Sequence, residues 1–156
     1  MNRSSYGKTM ALAVKLLAAK PRSRAELRER LGEKCDDDAV AQVISRLEEL
    51  GYVNDEQFAA SFAAARIATR PLGRVRLRRD LQRRKVSGEV AENAMNAAYK
   101  ETNEETLIEM AIAKRLRTHG EPGTRQDAQK LFAYLLRQGF DYELVLRKIR
   151  VVKKDI

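Results

Sequence analysis

The chain has no tryptophan, one histidine (His119), one cysteine (Cys35) and only 6% aromatic residues. One His and one Cys cannot assemble a zinc site or a histidine-based triad, and no acidic residue pairs with either in the sequence. Lone Cys35 excludes an internal disulfide and fits a reducing cytoplasm. It stands beside Asp36, Asp37 and Asp38, whose negative charge opposes a thiolate nucleophile. No glycine-rich phosphate loop occurs, so nucleotide binding has no support. No apolar run approaches the roughly 20 residues that span a membrane, and the N-terminus lacks the apolar core of a signal peptide. No stretch alternates as a strand would. These absences predict a cytoplasmic, all-helical, non-enzymatic protein with no metal or cofactor and no membrane partner.

What the chain does have is a spacing used three times. Leu27, Leu31 and Val40 stand four and then nine residues apart. Leu77, Leu81 and Val90 repeat this, as do Leu131, Leu135 and Leu144. Residues at i and i+4 share a helix face, and the jump of nine crosses a short turn into a further helix. Fifteen residues before each set stand Leu12, Phe62 and Leu116. A three-helix unit therefore recurs about every fifty residues, which predicts tandem helical repeats in an elongated array that is free to curve.

Turn and capping residues place the elements. Residues 1–9 lack apolar periodicity and read as a flexible tail. Units follow over 10–53, 54–101 and 102–156. Pro21, Gly51, Pro71-Leu72-Gly73, Gly120 to Gly123 and Gly139 mark the breaks. Ser23 with Glu26, Asn54 with Gln57, and Thr102 with Glu105 have capping-box spacing. The Asp triplet at 36–38 suits the N-terminus of the next helix, where carboxylates complement the dipole. Tyr52, Phe140 and Tyr142, each near a glycine at a unit boundary, are expected to seal the joints.

Charge is distributed unevenly. The chain carries 31 Lys+Arg against 22 Asp+Glu, a formal net charge of +9. Residues 1–55 are nearly balanced, whereas 56–102 carry 10 basic and 5 acidic side chains. The excess is densest over 74–85, where Arg74, Arg76, Arg78, Arg79, Arg83, Arg84 and Lys85 make seven of twelve residues. With Leu77 and Leu81 facing inward, a 100° step places Arg76, Arg79 and Arg83 on the opposite face. Guanidiniums one turn apart can grip successive phosphates or carboxylates in bidentate fashion. All seven are candidate partner- or nucleic-acid-binding residues. A competing pattern lies in the first unit, where Ser23 to Val53 has helix-turn-helix rhythm with Gln42, Ser45 and Arg46 on a recognition helix. That would make the chain a sequence-specific DNA-binding transcription regulator, but no alternating strands follow to form a wing.

Several segments resemble the RecX family of bacterial recombination regulators. They are Pro21-Arg22-Ser23-Arg24-Ala25-Glu26-Leu27, Gly51-Tyr52-Val53-Asn54-Asp55-Glu56-Gln57-Phe58-Ala59, Gly73-Arg74-Val75-Arg76-Leu77 and Gln138-Gly139-Phe140. The likeness covers about 10–150. The chain departs from it in Arg70-Pro71-Leu72, where other members have various short linkers, and in Lys85-Val86, where Gly-Ile is commoner. The resemblance implies a monomeric protein of three tandem three-helix units that lies along a RecA filament on single-stranded DNA. It implies that the protein modulates, mainly by inhibiting, the recombinase, ATPase and co-protease activities of RecA in DNA repair and the SOS response. The partners so implied are the RecA protein filament and single-stranded DNA, contacted directly or through RecA.

Overall fold

The apolar pairs at i and i+4 determine which way each helix faces, and all six of their leucines are buried: Leu27, Leu31, Leu77, Leu81, Leu131 and Leu135. A computed structural model describes residues 3–154. Every regular element among them is helical: α1 Arg3–Ala19, α2 Arg24–Gly32, α3 Asp37–Glu49, α4 Asp55–Thr69, α5 Arg74–Arg83, α6 Gly88–Glu101, α7 Glu104–His119, α8 Arg125–Arg137 and α9 Tyr142–Lys154. The best-populated helix pairings all fall within α1–α3, α4–α6 or α7–α9. The accessible surface is 9908 Å², against roughly 8,000 Å² for a compact monomer of this mass. The excess is what an extended array exposes.

Two expectations are corrected. Within the tail read over 1–9, residues 1 and 2 lie outside the described residues, while Arg3 to Thr9 form the first turns of α1. Tyr6 and Met10, one turn apart, pack on the first core, and the buried Thr9 hydroxyl donates to the Ser5 carbonyl at 2.8 Å. Ser4, Ser5 and Gly7 are poor helix formers, so tertiary packing overrides propensity here. The cap of α7 is Asn103, which accepts from the Thr106 N–H at 2.8 Å. Thr102 instead terminates α6, because that helix runs on to Glu101. Ser23 and Glu26 do form a reciprocal capping box, and Asn54 and Ser87 cap α4 and α6.

Among the described residues the buried apolar side chains form two clusters. One lies within α1–α3. The other runs unbroken from Ala59 and Ala63 through Met95 and Tyr99 to Leu107, Leu135 and Val145, so the second and third units share it. Phe140 is buried in this shared core, whereas Tyr52 and Tyr142 are exposed and do not seal a joint.

Polar contacts lock the first two units together. The Ser23 hydroxyl donates to the Arg84 carbonyl at 2.6 Å, and Arg84 returns bonds to Glu26 at 3.0 Å and to the Pro21 carbonyl at 3.0 Å. Its guanidinium also lies 4.9 Å from the Phe58 ring centroid. Lys85 follows in the left-handed region at φ +62°, the conformation that glycine adopts without strain. The turn is therefore kept with a lysine at about 1 kcal/mol of strain, and its ammonium pairs with Glu29 on α2.

Backbone against backbone holds the second and third units. Gly73, the N-cap of α5, has no side chain to satisfy the helix's free amides. The α8–α9 turn does so: the Gly73 N–H donates to the Gln138 carbonyl at 2.9 Å, and the Val75 N–H to that of Gly139 at 3.1 Å. The Arg74 N–H faces the carboxylate of Glu104 at the start of α7 and lowers its pKa against the effect of burial. A Cβ on Gly73 would lie well inside 3.0 Å of the Gly139 carbonyl, and one on Gly139 would strike the Arg76 backbone. Gly139 also holds φ +91°. Beside this contact the Tyr99 hydroxyl donates to the Leu72 carbonyl at 2.9 Å.

Substituting Gly139→Ala should therefore destabilise the chain by roughly 3 kcal/mol in urea unfolding, combining left-handed strain with backbone overlap. Gly88→Ala, where nothing lies within 4 Å of the added methyl, should stay within about 1 kcal/mol of the parent or exceed it. The two joints should also respond oppositely to pH. Burial holds Glu104 above the ordinary value of 4.5; Asp141 adds to this, against the Arg74 N–H, and one carboxyl oxygen lacks any hydrogen-bond partner. Its contribution is complete below 4.5 and is lost as pH rises through the elevated pKa. Burial also opposes ionisation of Glu26, but Arg84 and Ser23 outweigh it and lower the pKa, so its contribution vanishes as pH falls through that value. Glu104→Gln should be more stable than the parent at neutral pH and should lack the parent's decline between 4.5 and neutrality. A lower urea midpoint for this variant at neutral pH would contradict the assignment.

Candidate functional site

Helix α5 buries Leu77, Leu81 and Asp80, so its cations leave from the remaining arc. The seven basic residues singled out in the sequence do not form one surface. Arg78 donates to Glu92 of α6 at 2.5 Å, and this hydrogen bond draws the Glu92 carboxyl below its usual range. Arg74 lies 3.9 Å from the same carboxylate, bonds Asn96 and sits 5.4 Å from the Tyr99 ring centroid. Arg84 is taken up in the first joint and Lys85 pairs with Glu29. These four cations are neutralised by the fold.

The remaining three follow the predicted stripe. Arg79 and Arg83 are exposed and have no hydrogen-bond or ion-pair partner among the described residues. Arg76 is half-buried and donates to the Gln138 side chain at 3.0 Å. It thereby faces the third unit rather than open solvent.

Where α5 meets the α8–α9 turn, a groove of about 430 Å³ opens, lined by Val75, Arg76, Arg79, Leu136, Arg137, Gln138 and Gly139. None of these residues is acidic. Arg137, the last residue of α8, is exposed and likewise unpaired among the described residues. Sequence reasoning missed it because it is isolated in its own helix. The available signal was its position immediately before Gln138-Gly139, the segment that docks on Gly73. Three guanidiniums from two units, those of Arg76, Arg79 and Arg137, thus line one groove without a carboxylate among its lining residues, an arrangement suited to phosphate or carboxylate groups. Arg83 stands about one turn beyond Arg79 on the same face of α5.

A second groove, of about 640 Å³, lies between the first two units and includes Leu17, Tyr52, Phe58, Phe62, Lys20 and Arg22 in its lining. The helix-turn-helix alternative fits poorly. Val53 and Asn54 lead directly into α4 rather than a β-wing, Arg46 bonds Glu49 at 3.1 Å, and Tyr6 of α1 stands beside Gln42, Ser45 and Arg46. Among the described residues no group of three or more His, Cys, Asp or Glu side chains is placed to hold a metal ion. No described helix is long and apolar enough to cross a membrane.

Comparison with known proteins agrees with this architecture unit by unit. The family models for the first, second and third RecX three-helix domains match residues 10–47, 54–95 and 103–149. The regulatory protein RecX of Chlorobaculum tepidum is 29% identical over 153 residues, covering 97% of this chain and 92% of its own. That of Amycolatopsis mediterranei is 30% identical over 146 residues, covering 93% and 83%. That of Mycolicibacterium vanbaalenii is 33% identical over 138 residues, covering 84% and 74%. In fold, the crystal structure of RecX from Lactobacillus salivarius superposes with a TM-score of 0.85 at 20% identity, covering 97% of this chain and 99% of that one. With all three units matched in order and the fold shared along nearly its whole length, the chain belongs to the RecX family of regulatory proteins.

Proposed function

We propose that the protein acts as a cytoplasmic, non-enzymatic regulator, working as a monomer, that binds the RecA filament on single-stranded DNA and restrains its recombinase, ATPase and co-protease activities. The observation that carries this reading is the joining of two features in one chain: RecX domains along its length and an uncompensated arginine surface on the central unit. An extended array of coupled units can engage several protomers of a filament at once, and each added contact acts at high effective concentration. The interface residues in this reading are Arg79 and Arg83, with Arg76 at the edge. Arg74 and Arg78 brace the central unit instead, and Arg84 and Lys85 join it to the first. The exposed pair has no structural duty that would account for two neighbouring like charges on one helix face.

The test is RecA-catalysed ATP hydrolysis on single-stranded DNA with the purified protein added. Inhibition is expected at levels well below one protein per RecA, as befits an agent that stops filament growth. Arg79→Glu with Arg83→Glu should relieve most of that inhibition while leaving the thermal midpoint nearly unchanged, because neither side chain has an intramolecular partner among the described residues. Arg78→Glu should instead destabilise the central unit by breaking the pair with Glu92. An unaltered RecA rate at every ratio of the parent protein would contradict the proposal.

A further inference from the structure

The seven cations of α5 separate by use. Four have carboxylate partners inside the protein. The others share one face of α5, and Arg76 and Arg79 there line the groove against the α8–α9 turn. Along that face Arg83, Arg79 and Arg76 succeed one another at intervals of four and three residues, about one helical turn each. Arg137 continues the row from the neighbouring unit across the groove. Like charges gathered without a carboxylate repel one another. Here the fold brings Arg137 to Arg76 and Arg79 through the Gly73–Gly139 contact, and no carboxylate lies among the groove's lining residues. Two apolar side chains, Val75 and Leu136, line the same groove and are 57% and 36% exposed. A ligand that satisfies all of these must be a repeating polyanion with apolar faces between its charges.

We infer that the groove between α5 and the α8–α9 turn is a composite binding site for the phosphodiester backbone of single-stranded nucleic acid, with Arg79 from the second unit and Arg137 from the third as its contacts and Arg83, one turn further along α5, extending the row beyond it. The guanidiniums hold successive phosphates, while Val75 and Leu136 meet sugar or base surfaces. Phosphate contacts carry no sequence information, so binding is independent of base sequence. Arg76 acts as a positioning residue: its bond to Gln138 holds the two halves of the site in register. Because the contacts come from two units, an occupied site also fixes their joint. The inference deepens the proposed function, which could hold through protein contacts alone.

The experiment measures binding of the full chain, without RecA, to fluorescein-labelled oligo(dT) by anisotropy across a salt series. Arg137→Glu should weaken binding at least as much as Arg79→Glu does, by roughly tenfold or more, the equivalent of one lost charge-assisted contact. Each should flatten the log–log salt slope by about 0.7 per lost phosphate contact. Arg125→Glu makes the same change of charge at the opposite end of α8, about 18 Å away along the helix. It should leave the slope unaltered. Circular dichroism melts establish that all three variants fold. Failure of the parent to bind oligo(dT) at low salt, or an Arg137→Glu variant that behaves like Arg125→Glu, would overturn the site. RecA ATPase inhibition is assayed on the same variants. Inhibition retained alongside unchanged oligo(dT) binding would sink this inference and leave the regulatory reading standing. DNA binding lost as expected, with no inhibition by the parent, would do the reverse.

Discussion

The architecture depends on one close approach between two stretches of backbone. At the Gly73–Gly139 contact the amides that begin α5 bond the carbonyls that open the α8–α9 turn. The first amides of a helix have no partner within it, and burying them unpaired costs about 1–3 kcal/mol each. Other helices of the chain meet this demand with a side chain of the N-cap residue: Ser23, Asp36, Asn54, Ser87, Asn103 or Thr124. Helix α5 uses another unit of the protein instead. That choice requires a residue without a side chain on both strands of the contact, and it makes the second and third units one body with one core.

Electrostatics then follows from geometry. Helix α5 lies between the first unit and the third, and each neighbour claims part of its charge. The first takes Arg84 and Lys85 through Glu26 and Glu29. Within the second unit, Glu92 of α6 takes Arg78 and lies at 3.9 Å from Arg74. Among its described residues the third unit offers α5 no comparable acidic partner for Arg79 or Arg83, and it adds Arg137. Docking in this way brings Arg137 to Arg76 and Arg79 on a single surface.

Much of this could be read from the residues. The leucine spacing fixes three units and their inward faces, and 100° geometry correctly separates Leu77 and Leu81 from Arg79 and Arg83. Local chemistry also marks most caps. What was not legible depends on partners distant in sequence. Nothing near Arg84 reveals that Glu26 and the Pro21 carbonyl lie opposite it, so it reads as a free cation when it is a joint. Arg137 reads as an ordinary helix terminus because its neighbours Arg76 and Arg79 lie about sixty residues away. The shared core escaped for the same reason: periodicity reports which face of a helix is buried, not which helix covers it. The tail was misread because Ser4, Ser5 and Gly7 conceal the spacing of Tyr6 and Met10.

The dependence of the arginine surface on the glycine contact is tested most directly by amide hydrogen exchange at Gly73 and Val75. First-turn amides ordinarily exchange quickly, as those of Asp55 and Glu56 in α4 should, since Asn54 caps only the Gln57 N–H. If the α8–α9 turn caps α5, the Gly73 and Val75 amides will be protected as strongly as the interior amides of α5, including that of Leu81. They will then exchange only when the second and third units separate or unfold together. Exchange of Gly73 and Val75 as fast as that of Asp55 and Glu56 would show the joint to be open in solution, and with it the alignment of Arg79 with Arg137.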